Sequence, residues 1–235
     1  MNDERIIKPI AYIENDYVEK FGIPRQSGLV DAKARICFVK EYRNKEAFRG
    51  LEEYSYLWLI WDFSKAAHTT WHPTVRPPRL GGNERVGVFA TRSPFRPNGM
   101  GLSSVRLEKI DWEGDGAPAL IVSGADLLNG TPIYDIKPYL PHIDIHPEAK
   151  AGFAGAVKEY ALEVSVPEEV TGGLADENKE KISVLYEILK QDPRPAYQDD
   201  PERIYGMSYA NMEVKFKVVN KKAIILEITE KEKTR

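Results

Sequence analysis

The 235-residue sequence predicts a mainly β fold, a barrel or sandwich of short strands followed by a small α+β module, and three observations predict it. Seven apolar, β-branched or aromatic runs, at 6–13, 34–40, 56–63, 85–90, 102–110, 119–125 and 131–136, are punctuated by glycine and proline. A single short helical candidate, 44–50, interrupts them, which argues against a doubly wound sheet. After Pro147 the composition turns small and charged, placing a boundary between 147 and 155 and giving two expected domains, 1–147 and 148–235.

The second part opens with a strand at 160–166. Between 176 and 191 the apolar residues Ile182, Leu185, Tyr186 and Leu189 fall at i, i+3, i+4 and i+7, so this stretch is an amphipathic helix that ends before Pro193. Residues 212–219 and 221–229 alternate as the arms of a β-hairpin joined at Asn220. No internal repeat or low-complexity tract is present.

Composition narrows the functional classes. A hydrophobic share of 42% with 29% charged residues is that of a globular protein, which excludes disorder as the starting assumption. The longest apolar run, from Leu57 to Trp61, is too short to cross a bilayer and stops at Asp62. The N-terminus lacks the basic start and apolar stretch of a secretory signal. Cys37 is the sole cysteine, so the expected home is a reducing cytoplasm without disulfides. Its place between Ile36 and Phe38 suits a small core side chain better than a nucleophile, and Trp58 and Trp61 read as mostly core, the alternative being rings that stack a base.

A net charge of −3 argues against a nucleic-acid partner until its distribution is considered. From Trp71 to Leu107 stand six arginines (Arg76, Arg79, Arg85, Arg92, Arg96 and Arg106), no lysine and one acid, Glu84, a net +5 that leaves −8 for the remainder. Guanidinium forks match phosphate and carboxylate bidentately, and the surrounding prolines and glycines stiffen the loop that carries them. Such a segment reads as an anion-binding face, the alternative being an ordinary crossover that uses proline to turn corners.

That segment, Arg76-Pro77-Pro78-Arg79-Leu80-Gly81-Gly82-Asn83 followed by Val86-Gly87-Val88-Phe89-Ala90-Thr91-Arg92-Ser93-Pro94-Phe95-Arg96-Pro97-Asn98-Gly99-Met100-Gly101-Leu102-Ser103, closely resembles the TsaA-like family, whose bacterial members are known as TrmO. Further blocks carry the resemblance: Phe21 to Leu29, Gly50 to Trp58, Asp126 to Pro132, Asp135-Ile136-Lys137-Pro138-Tyr139-Leu140-Pro141 and, near the C-terminus, Gln191-Asp192-Pro193-Arg194-Pro195-Ala196-Tyr197. The resemblance implies a single-sheeted β-barrel, a homodimer, and methylation of N6 of N6-threonylcarbamoyladenosine at position 37 of threonine tRNA, with S-adenosyl-L-methionine as donor. It further implies cofactor contacts at Pro24, Arg25, Gln26, Ser64, Lys65, Arg92 and Leu102, and at the turn Ala125, Asp126, Leu127, Leu128 and Asn129.

Adenosylmethionine offers an adenine face, ribose hydroxyls, a sulfonium and an amino-acid end, so its site needs an apolar slot, an acceptor and a carboxylate partner. Asp126 suits the acceptor, or is a turn residue holding its own backbone; Arg25 or Arg92 suits the partner. Methyl transfer is an in-line displacement in which alignment does much of the work. Asp135 or Tyr139 is expected to orient or accept the departing N6 proton, Asp135 being equally readable as a hydrogen-bond partner of loop amides. Arg96, Lys137 or Arg194 is expected to receive the substrate's carboxylate, and Tyr197 of the C-terminal block joins them on the substrate side. The pocket so composed would gather the guanidinium groups of Arg25, Arg92 and Arg96.

Other chemistries fit less well. The pairs His68/His72 and His142/His146 have zinc-like spacing, but prolines flank them, no cysteine accompanies them, and Ile143 and Ile145 alternate as in a strand, so no metal is expected. Gly99 to Gly101 lacks the third glycine of a dinucleotide fold. Asp192-Pro193-Arg194-Pro195 lacks the paired prolines and aromatic of Rossmann-type adenine methyltransferases. No Ser-His-acid or paired-carboxylate array suggests a hydrolase. The surviving alternative is a non-catalytic RNA- or nucleotide-binding barrel that uses its arginine loop for phosphate alone.

Overall fold

Alternation of inward and outward side chains shapes the first half of the chain in the computed structural model, which describes residues 4–65, 71–77, 80, 84–157, 161–195, 198 and 200–231. Its strands are β1 (Ala11–Glu14), β2 (Lys33–Phe38), β3 (Tyr56–Asp62), β4 (Thr74–Val75), β5 (Val86–Gly87), β6 (Met100–Asp111), β7 (Ala119–Ser123) and β8 (Pro132–Pro138). Six of these close into one barrel in the order β1-β2-β7-β6-β3-β8, every pairing antiparallel. Closure removes the exposed strand edges that an open sheet must otherwise protect.

Ala11 and Ile13, Ala34, Ile36 and Phe38, Leu57, Leu59 and Trp61, Val105, Leu120 and Val122, and Ile133 point inward and form the core. Burial of each large member contributes about 1.5–3 kcal/mol. Phe48, from a 3-10 turn at Lys45–Phe48, joins this core with its ring edge-on to Phe38 at 4.8 Å. A bulge where β3 meets β8, between Ile60 and Trp61, and another where β6 meets β7, between Leu107 and Lys109, bend the wall.

Several expectations need correction. The run at 85–90 is no barrel strand: β5 takes two residues, pairs with β4, and passes into a 3-10 turn at Val88–Ala90. The helical candidate at 44–50 is the middle one of three successive 3-10 turns between 40 and 53. Cys37 is half-buried on the outer side of β2, because Ile36 and Phe38 occupy the inward positions. Its thiol pKa is raised by burial first and by Glu14 second. Trp58 likewise lies on the outer side of β3, half-buried, while Trp61 belongs to the core. Residues 143–145 continue no strand: α1 (Pro141–Asp144) starts on a proline that presets φ, and Asp144 Oδ2 accepts from Leu140 N at 2.9 Å.

The chain packs as two compact units that interleave in sequence: a barrel unit up to Asn15, Gln26–His72 and Pro94–Ile145, and a second unit of Asp16–Arg25, Pro73–Ser93 and His146 onward. The second unit holds β9 (Glu163–Ser165), β10 (Tyr205–Tyr209), β11 (Met212–Val219) and β12 (Lys222–Glu230), ordered β10-β11-β12-β9 with β9 parallel to β12. Asn220 and Lys221, at φ 50° and 60°, form the tight turn between β11 and β12 that the hairpin signal predicts. Helices α2 (Glu168–Thr171), α3 (Asp176–Lys179) and α4 (Ile182–Lys190) precede β10, α4 burying Leu185, Ile188 and Leu189. The predicted helix at 176–191 is thus divided between α3 and α4, and β10 carries no prior signal. No helix among the described residues is long and apolar enough to cross a membrane.

Candidate functional site

The turn that follows β7 is the most firmly built of the expected site segments. Gly124 takes φ +81°, a conformation glycine adopts without strain, and lies against Gly28 so closely that a Cβ would touch its backbone at 3.4 Å. Gly28 N donates to Gly124 O at 2.8 Å and Gly124 N to Ala32 O at 3.1 Å, fastening the loop at 26–32 to the end of β7. Asn15 holds the far side of the turn: its Nδ2 donates to Leu127 O at 2.8 Å, and its backbone N–H to Asn129 Oδ1 at 3.1 Å. Ala125 and Leu127 bury their side chains in the barrel core, so what they can offer a ligand is main chain.

Asp126 alternates with them and is fixed by a short relay. Trp61 Nε1 donates to Ser103 Oγ at 2.9 Å, and Ser103 Oγ donates to Asp126 Oδ1 at 2.5 Å. A serine hydroxyl has one hydrogen; with Trp61 supplying the incoming bond, that hydrogen is committed to the carboxylate. Ser103 is 1% exposed, so its hydroxyl must be paired within the protein. The indole lies against Gly101, where any Cβ would come within 2.2 Å of the indole carbon Cε2. Gly101, Trp61 and Ser103 were not among the residues expected here. Their signal is the small Gly101 and Ser103 at inward positions of β6, directly opposite Trp61 and Leu59 of β3.

The outer side of the same strands carries a second group. Leu102, 56% exposed, stands beside Ile60, which stands beside Asp135; Ser104, Trp58 and Lys137 make the next row. Tyr139 N donates to Tyr56 O at 2.9 Å, and its ring lies 5.4 Å from Trp58 and 6.2 Å from Tyr56. Trp58 Nε1 is held by Asp144 Oδ2 at 2.9 Å, and the Arg106 guanidinium lies 5.9 Å from the Tyr56 ring centre. Asp135, Lys137 and Tyr139, spaced by two along the β8 segment, therefore share one exposed face with Leu102. Asp135 Oδ1 accepts from Ile136 N at 2.9 Å, and Oδ2 lies 3.0 Å from Lys137 Nζ. Asp135 thus accepts from the next amide of its own strand and faces Lys137 on the same strand.

Elsewhere in the barrel unit, Ser64 and Lys65 are exposed just after β3, where Phe63 N donates to Gly99 O at 3.0 Å. Arg96 is half-buried in the loop before β6, next to Phe95, whose carbonyl accepts from His72 N at 3.2 Å. Gln26 is half-buried at the start of the 26–32 loop.

The arginines are divided between the two units. Arg76, Arg85 and Arg92 belong to the second unit and Arg96 and Arg106 to the barrel unit; Arg79 lies outside the described residues. Arg92 is exposed after the 3-10 turn at Val88–Ala90, where Thr91 Oγ1 donates to Val88 O at 2.8 Å and accepts from Ser93 N at 3.2 Å. Pro24 is buried and Arg25 half-buried, both in the second unit. Arg194, expected as a carboxylate receptor, lies in the second unit. It is 6% exposed, and its guanidinium grips Asp192 through Nε–Oδ1 at 2.8 Å and Nη2–Oδ2 at 3.0 Å, so the fork is already used inside the protein. Tyr197 and His68 lie outside the described residues.

Comparison with known proteins gives this geometry a setting. Residues 12–145 match the model of the tRNA-methyltransferase O N-terminal domain and residues 159–231 that of the TrmO C-terminal domain. A tRNA (adenine(37)-N6)-methyltransferase of Escherichia coli strain K12 is 43% identical over 205 residues, covering 86% of either chain. One of the same name from Eikenella corrodens is 48% identical over 173 residues, covering 73% of this chain and 95% of the relative. A crystal structure of TrmO from Pseudomonas aeruginosa superposes with a TM-score of 0.77 at 31% identity, covering 96% of this chain and 99% of that one.

Proposed function

The chain belongs to the tRNA-methyltransferase O family, and from that premise we propose that it is a tRNA (adenine(37)-N6)-methyltransferase using S-adenosyl-L-methionine. The finer reading is that its substrate is N6-threonylcarbamoyladenosine of threonine tRNA, that it works as a homodimer in the cytoplasm, and that the C-terminal domain contributes contacts to the anticodon arm.

The observation that supports a cofactor site is the Asp126 carboxylate, held by a buried serine at the end of a barrel strand. A fixed acceptor suits ribose hydroxyls, because it is oriented before the ligand arrives. When bound, adenosylmethionine supplies an electrophilic methyl group. In this reading Asp126 and the main chain of Ala125 to Asn129 hold the nucleoside end; Gln26, Ser64, Lys65 and the exposed Leu102 line the approach; Pro24, Arg25 and Arg92 serve the amino-acid end. Asp135 and Tyr139 orient the N–H of the adenosine N6, and Asp135 carries the proton away as the methyl group is delivered. Lys137 and Arg96 receive the substrate carboxylate, the first by exchanging its ion pair with Asp135 for one with the substrate. That exchange involves two exposed partners and costs little.

The test is nucleoside mass spectrometry of threonine tRNA bearing the threonylcarbamoyl mark, after incubation with the protein and adenosylmethionine. A gain of one methyl group on the marked nucleoside is expected. A tRNA that is bound but unmodified, with no calorimetric response to adenosylhomocysteine, favours the non-catalytic RNA-binding barrel instead.

A further inference from the structure

Residues 16–25 precede most of the barrel in sequence yet pack with the second unit as a strap. Ala210 N donates to Asp16 O at 2.8 Å, Lys181 Nζ to Asp16 Oδ1 at 2.9 Å, and Ser208 N to Glu19 Oε1 at 2.6 Å. Tyr17, 3% exposed, packs on Tyr209 at 5.7 Å. Gly22, at φ +93°, sits where a Cβ would come within 2.5 Å of Met207 Cε, so the strap lies against the sheet as closely as glycine permits.

The last anchor is Arg25. Its Nη2 donates to two backbone carbonyls, Asp192 O and Arg194 O, each at 3.0 Å. These point to one nitrogen because of an unusual turn. Asp192 has φ +49°, a region that non-glycine residues enter at a cost. The turn is locked by its own side chains: the Arg194 fork closes on the Asp192 carboxylate, and Arg194 N donates to Asp192 Oδ1 at 3.3 Å. Arg194 and Arg203 both lie against the ring of Tyr205, at 5.9 and 5.3 Å, and Tyr205 stacks on Phe216 at 5.5 Å. Phe216 in turn faces Phe21 of the strap at 6.4 Å, so the path returns to the segment that Arg25 ends.

We infer that Asp192 and Arg194 are positioning residues for the methyl donor: they hold the two carbonyls that fix the Arg25 guanidinium, and with it the Pro24-Arg25-Gln26 segment. The inference rests on the proposed cofactor role of that segment. It assigns the C-terminal Asp-Pro-Arg turn an indirect part in cofactor binding in place of direct contact with substrate. A bidentate pair suits this work, since both torsion and distance of the turn are constrained at once.

The test is calorimetric titration of adenosylhomocysteine into the full chain and its variants. Arg194→Ala should weaken binding about 10- to 100-fold, the range expected when a binding group is displaced without being removed. Arg194→Lys, which restores charge but not the fork, should fall between. Because Arg194 acts through Arg25, Arg194→Ala placed in an Arg25→Ala background should weaken binding no further, whereas independent sites would add. Val218→Ala, in the sheet core of the same unit, controls for loss of stability; it should lower the melting temperature and leave affinity unchanged. Should Arg194→Ala not fold, Asp192→Asn carries the same cycle. Wild-type affinity in a folded Arg194→Ala, additive losses, or an equal loss in Val218→Ala overturns the inference alone. A wild-type chain that binds no adenosylhomocysteine overturns the cofactor reading and this inference with it.

Discussion

The turn at Ala125 to Asn129 and the strand β8 both carry residues expected at the site, and they are built in opposite ways. Around Asp126 a buried hydroxyl, an indole N–H and an asparagine amide fix a carboxylate and its main chain. On β8 the working groups stand on an exposed face, with Asp135 and Lys137 48% and 61% exposed and facing each other, beside aromatic rings that are half-buried or exposed. The first arrangement suits a small rigid ligand whose groups must meet fixed partners. The second suits a large polyanion, where ion pairs exchange cheaply and aromatic faces accept stacked bases. The difference separates what is preorganised from what adapts.

The largest effect should come from breaking the rigid half. Gly101→Ala places a methyl group within 2.2 Å of the Trp61 indole, which must move away and abandon Ser103. A loss of about 3 kcal/mol is expected in urea denaturation, together with a large loss of adenosylhomocysteine affinity. A variant as stable as wild type would show that the indole moves freely, and the contrast with β8 would fail.

Ser103→Ala is the sharper probe, because it deletes one oxygen and leaves the barrel wall intact. Trp61 Nε1 and Asp126 Oδ1 both lose a partner, at a cost of about 1–3 kcal/mol to folding. Adenosylhomocysteine binding should weaken about 10-fold, and turnover at saturating cofactor should recover most of its wild-type value. Unchanged affinity would separate the relay from the cofactor.

How much of this was legible beforehand follows the same division. The strand alternation of Ala34 to Phe38 and Tyr56 to Asp62, and the Asn220 turn, were readable because each is local: period two, or a two-residue hairpin signal. The relay was not, since Trp61, Ser103 and Asp126 are far apart in sequence and meet only through the pairing of β3 with β6 and the turn after β7. The run at 85–90 misled for the converse reason. Val86 to Ala90 has strand composition, but its partner is the two-residue β4, and the pairing goes no further. The Arg194 pairing was not readable either, because composition shows a charge and not its partner two residues away.

On the adaptable half, Lys137→Ala should change folding stability by less than about 0.5 kcal/mol, as exposed ion pairs do. Its effect should instead appear in the Michaelis constant for the marked tRNA, which is expected to rise several-fold as a receptor of the substrate carboxylate is lost. Cofactor affinity should stay at the wild-type value. A matching loss of adenosylhomocysteine binding would mean that the outer face and the Asp126 turn act as one site.

The smallest effect tests whether a half-buried ion pair on the barrel wall contributes through charge alone. Arg35 on β2 pairs with Asp111 at the end of β6, and its hydrogen bond is the main reason the Asp111 carboxyl titrates below its ordinary range. A carboxylate whose folded pKa is depressed adds stability that is present above the unfolded value, near 4, and disappears as pH falls through the folded value. The urea midpoints of wild type and Asp111→Asn should therefore differ modestly at pH 7, converge as the pH drops below about 4, and coincide once the native carboxyl is protonated. Asp126 is the counterpart in the rigid half: Ser103→Ala also strips the Trp61 indole N–H of its acceptor, a loss that involves no titrating group, so part of its penalty should persist in acid where the Asp111 effect has vanished. A Ser103→Ala penalty that fades over the same pH interval would mean that the buried relay, too, acts through charge, and the distinction between the two halves of the site would be one of degree.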